Sequence, residues 1–180
     1  MTISKINTIK KHFVSENRLF SVEENNTIPL PEGLIKHINC YAFSIGCLYP
    51  GESGVDYIPG FTTGDIFTGS ENLIEKVCLD LSNLNRHFRK LSFFGPKNLK
   101  DNEYLVKIFY SSPSEICPKG EFHFIRQNRD TGIWYHMPGH SKQPCVIELV
   151  GSQVNAEPDE LISEDMQSFY YPLGYLAIGQ

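Results

Sequence analysis

The chain has 180 residues, 41% of them hydrophobic, which is enough to bury a core that needs neither disulfides nor a structural metal. Its 21 acidic side chains against 16 lysines and arginines leave a net charge of −5. That balance excludes a general nucleic-acid binder, because sequence-independent phosphate binding needs a basic surface and none is evident. Cys40, Cys47, Cys78, Cys117 and Cys145 are odd in number and irregular in spacing, a poor disulfide framework that suits a reducing compartment. Residues 1–13 alternate polar and apolar positions without the apolar run of an export signal. No stretch of about 18 apolar residues occurs, so no membrane span is expected. With no repeat, low-complexity tract or linker, one domain is expected over residues 1–180, an N-terminal extension over 1–30 and the core over 31–180.

In chain order, the first informative element is Asn39-Cys40-Tyr41-Ala42. Asn39 is a good N-cap, which puts Cys40 at the first helical position, where the helix dipole and unpaired N–H groups favour thiolate over thiol. The following apolar residues suit a short buried helix ended by Tyr49-Pro50-Gly51. A small core cysteine is the plain alternative for Cys40. Residues 56–69, rich in Gly, Thr and aromatics, read as a loop along a cleft rim. Ser70 can cap a second helix, whose Leu73, Val77, Leu81, Leu84 and Phe88 recur at intervals of four, four, three and four. That stripe stops at Gly95-Pro96 and is core packing, with Cys78 and His87 as structural or surface residues.

Strands follow. Residues 104–110 form one, Phe122 to Gln127 the next, 128–132 a polar turn, and Ile133 to His136 the returning strand of a hairpin. A turn centred on Arg129-Asp130 pairs His123 with His136 on one face; a wider turn leaves His136 one diagonal away, still within reach. Residues 145–150 and 175–178 supply two more strands. Helices first and strands after them indicate an α+β fold.

A thiol at a helix start and imidazoles on later strands are the parts of a nucleophilic site. Asn-Cys-Tyr-Ala at residues 39–42, together with Glu121-Phe122-His123-Phe124-Ile125-Arg126 and Trp134-Tyr135-His136-Met137-Pro138-Gly139, resembles a group of bacterial papain-like cysteine hydrolases. The Cys, His, His order is similar to that of NlpC-type cell-wall endopeptidases. The resemblance implies a nucleophile-bearing helix packed on an antiparallel β-sheet, with Cys40 as nucleophile, His123 as general base and His136 as orienting residue. Relatives carry an Asp-Pro pair near the end of the domain; here residues 155–159 read Asn-Ala-Glu-Pro-Asp, so Asp130, Asn155 and Asp159 are rivals for the orienting role. Turn chemistry alone accounts for Asp130, and a solvated loop for Asn155 and Asp159. Asn39 is the first candidate for a side-chain oxyanion donor, ahead of Asn25, Asn26 and His37.

The resulting expectation is a cysteine peptidase or deamidase, acting without cofactor or metal on a protein or peptide substrate. Its setting is a cytosol, either its own or a host's after translocation. Residues 157–165 resemble the glutamate-rich tail signals of some bacterial effectors, although a charge run is also an ordinary solvated helix. A catalytically silent papain-like module, binding a protein through the aromatic residues Tyr57, Phe61, Phe67 and Trp134, is the alternative. Zinc held by Cys117, His123, His136, His140 and Cys145 is disfavoured, because Pro138-Gly139 breaks the helix that presents a His-x3-His pair.

Overall fold

A computed structural model describes residues 28–29, 39–47, 57–69, 72–94, 97–115, 118–129, 132, 134–137, 146–149 and 170–179. Its two described helices are α1 (Cys40–Ser44) and α2 (Leu73–Asn83). The strands are β1 (Ile28–Pro29), β2 (Phe88–Leu91), β3 (Glu103–Ser111), β4 (Glu121–Gln127), β5 (Trp134–His136), β6 (Val146–Leu149) and β7 (Tyr170–Gly179). Every pairing is antiparallel, in the order β1-β6-β5-β4-β3-β7-β2, and both helices fall in the chain between β1 and β2. The fold is therefore α+β. No helix among the described residues is long and apolar enough to cross a membrane.

Both helices are shorter than their apolar patterns suggest, for the same reason. In α1, Gly46 takes φ +75°, and its N–H bonds to Phe43 O while that of Cys47 bonds to Ala42 O. In α2, Asn85 takes φ +57°, with Asn85 N–H on Ser82 O and Arg86 N–H on Leu81 O. Each is a left-handed stop that satisfies the last helical carbonyls. Phe88, the fifth member of the stripe, belongs instead to β2, where it opposes Ile178. The start of α2 also differs: Asn72, not Ser70, is the N-cap, and it makes no side-chain capping bond.

Successive strand residues face opposite ways, so the sheet carries two clusters. Tyr104, Val106, Ile108 and Tyr110 of β3, with Phe124 and Leu176, pack against α1 and α2. Leu105, Phe109, Ile125, Trp134 and Tyr175 form a smaller cluster on the other face. The β4–β5 hairpin adopts the wider of the two turns considered: Ile125, not His123, opposes His136. Gly132, at φ +71°, returns its N–H to Asn128 O and accepts from Gln127 Nε2, which sets that width.

One buried acid ties the helices together. Asp80 accepts from Tyr41 Oη at 2.7 Å, Gly60 N–H at 2.7 Å, Thr62 N–H at 3.0 Å and the Thr62 hydroxyl. This links α2 to the residue after Cys40 and to the loop at 57–69. Gly60 takes φ +93°, and a Cβ there would collide with the carbonyl of Asp65, so the loop's fold depends on glycine at this point.

Candidate active site

Cys40 is the first residue of α1, and Asn39 caps it by accepting from Ala42 N–H at 2.9 Å. The other end of the Asn39 amide donates to Tyr57 O. One Nδ2 N–H is committed to Tyr57 O, and the amide's second N–H is the one with which the oxyanion role expected of Asn39 would be met.

Cys40 Sγ lies 4.0 Å from Phe122 O, at the stretch of β4 that carries His123. The described β5 residues oppose only Ile125, Arg126 and Gln127, leaving the thiol beside the part of β4 next to them. His123 Nε2 is 3.1 Å from His136 Nδ1, with the two rings near perpendicular at a centroid distance of 5.1 Å. The structure thus joins the two histidines across the diagonal of the hairpin and brings the thiol to the same strand. It does not hydrogen-bond Cys40 to His123. Phe122 and Phe124 turn toward α1, so alternation turns the His123 ring to the opposite face, above Phe109. Asp130, Asn155, Asp159 and the acidic run at 157–165 lie outside the described residues, as do Cys117, His140 and Cys145 of the zinc set. Among the described residues no group of three His, Cys, Asp or Glu stands close enough to hold a metal ion.

Electrostatics at the site favour neutral forms. Cys40 is only 3% exposed, and burial pushes its thiol up to about 12, against backbone hydrogen bonds at Phe124, Tyr41 and Cys40 that favour thiolate. Burial, followed by the neighbouring His136, brings His123 down to about 3. The resting pair is therefore thiol and imidazole, not thiolate and imidazolium. The expected aromatic rim is also absent as a surface: Tyr57, Phe61, Phe67 and Trp134 are all buried, with Trp134 on the sheet face away from the other three.

The sequence reading missed two polar neighbours of His123. The Tyr170 ring lies tilted to it with centroids 5.7 Å apart, and its hydroxyl donates to Glu121 Oε2 at 2.6 Å. Period-2 alternation in β4 could have put Glu121 beside His123. Nothing in the chain's pattern pointed to Tyr170, which comes from a distant strand.

These values make stability acid-sensitive. With its folded pKa held near 3, His123 binds a proton more readily in the unfolded chain, so its contribution is complete above about 6.5 and lost as pH falls toward about 3. Glu103, lowered to about 2 by its hydrogen bond with Arg89, adds a second loss beginning below about 4.5. Burial raises the Asp80 carboxyl and acts in the opposite sense, its protonation favouring the folded form as pH falls. Urea titrations should show stability declining by a few kcal/mol below pH 6.5, with the limb above pH 4.5 flattened in His123→Gln. An unchanged limb in that variant would remove His123 as its source.

The chain matches no protein-family model, no curated protein and no solved structure.

Proposed function

We propose that the chain is a papain-like cysteine hydrolase that cleaves an amide bond in a protein or peptide, working in its own cytosol or in that of a host cell. The observation that carries this reading is the position of the Cys40 thiol, at the start of a capped helix and against the β4 backbone beside His123, itself bonded to His136. In the reaction, Cys40 Sγ attacks the carbonyl carbon while its proton passes to His123, which then gives it to the leaving amine. Water attacks the thioester, His123 accepts its proton, and the acid departs as the thiol is restored. The Cys40 backbone N–H is the available oxyanion donor. His136 holds the His123 ring. From the resting geometry, this chemistry requires the imidazole to swing toward the thiol past the Phe122 carbonyl.

Burial of Cys40 and its raised pKa favour a second reading, a catalytically silent module of the same build. Iodoacetamide labelling across pH, read cysteine by cysteine, separates the two. The hydrolase reading expects Cys40 to label faster than Cys47 and Cys78, and to slow by about a hundredfold in His123→Ala. If Cys40 labels slowest and ignores His123, the silent module replaces the enzyme.

A further inference from the structure

Glu121, His123 and Tyr170 share the sheet face opposite α1, and their placement follows from the register. Tyr170 of β7 opposes Ser111 of β3, which in turn opposes Glu121 of β4. The phenol therefore spans the middle strand to donate to Glu121 Oε2 at 2.6 Å. Ser111 makes that span possible, because its short side chain leaves the space above β3 open. Crossing there, the Tyr170 ring comes 5.7 Å from that of His123, at 52° to it. His123 Nε2 is held by His136, and any rotation of the ring about its Cα–Cβ or Cβ–Cγ bond carries that nitrogen off its partner. The tilted Tyr170 ring beside it restricts that rotation.

We infer that Tyr170, anchored on Glu121 across Ser111, is a positioning residue that keeps the His123 ring on its hydrogen bond with His136, the contact that fixes its tautomer. Its value for proton transfer at Cys40 rests on the hydrolase reading; the clamp itself does not.

The experiment is a long-range nitrogen-15 spectrum of the histidine rings at neutral pH, recorded alongside iodoacetamide labelling of Cys40. Wild type should show His123 as one tautomer. Tyr170→Phe and Glu121→Ala should each average its ring signals toward a mixture of tautomers, and the double variant should do no more than either alone. Glu121→Gln should keep the wild-type spectrum, since its carboxamide oxygen still accepts from the phenol. If Tyr170→Phe lowers the melting temperature yet leaves the ring signals in place, or if Gln at 121 behaves as Ala does, the clamp is refuted. Labelling reports separately on the enzyme. Loss of the single tautomer with a tenfold to hundredfold change in Cys40 labelling, faster where release of the ring lets it swing to the thiol, supports both readings. Altered ring signals with Cys40 unreactive throughout uphold the clamp and remove the hydrolase. Unaltered signals, with Cys40 still slowed by His123→Ala, do the reverse.

Discussion

Asp80→Ala should lower the stability of this fold by about 4 kcal/mol, the scale seen when a buried charged acceptor is taken from donors that cannot reach water. Asp80 is fully buried and takes four hydrogen bonds, from Tyr41, Gly60 and both the backbone and hydroxyl of Thr62. Alanine leaves those donors stranded inside the core, whereas Asn keeps the volume and one oxygen. Asp80→Asn should therefore fall between wild type and Ala, at a cost of about 2 kcal/mol, because its amide N–H groups face donors. Urea midpoints check the order. A loss below about 1 kcal/mol in Asp80→Ala would mean that the four donors find other partners. Since Tyr41 adjoins Cys40, the Ala variant should also uncover the thiol and speed its alkylation, linking the core knot to the site.

The second large effect concerns turnover. With p-nitrophenyl acetate as a generic acyl donor, Cys40→Ser and His123→Ala should each reduce hydrolysis by on the order of 10⁴–10⁶, and the double variant no further, because residues of one catalytic unit fail together. His136→Ala should cost less, since an orienting group contributes less than the nucleophile or base it serves. Serine can occupy the thiol's place beside Phe122 O, so the Cys40→Ser melting temperature should stay near that of wild type and show that the loss is chemical. Equal activity in wild type and Cys40→Ser would end the hydrolase reading.

Local patterns were readable in the sequence where one force decided the outcome. Apolar periodicity marked α2, the polar turn marked the β4–β5 hairpin, and Asn39 marked the helix start. What escaped depended on distant partners. Phe88 continues the helical stripe by spacing, yet the left-handed turn at Asn85 and pairing with Ile178 make it a strand residue. The hairpin register turned on Gly132 and Gln127, whose bonds close the wider loop. The site was legible as residue types and not as geometry. His123 and His136 meet as a pair, but which face of β4 each ring occupies relative to α1 follows from packing Phe122 and Phe124 against Tyr41, a tertiary choice. Asp80 was overlooked although it lies three residues beyond Val77 on the same helical face.

The position of β7 bears on how the protein is made. This strand is the latest of the seven to leave the ribosome, yet it lies between β3 and β2, both of which are synthesised well before it. Until it emerges, β3 pairs with β4 on one side only, and β2 has no partner among the described strands. The histidine hairpin can thus close early while the sheet beside it stays open along an apolar edge, a surface on which nascent chains stick to one another. The burden of timely folding falls on the last stretch translated: slow decoding of residues 170–179, or a stop codon just before them, should yield insoluble chain in which Cys40, His123 and His136 are all present.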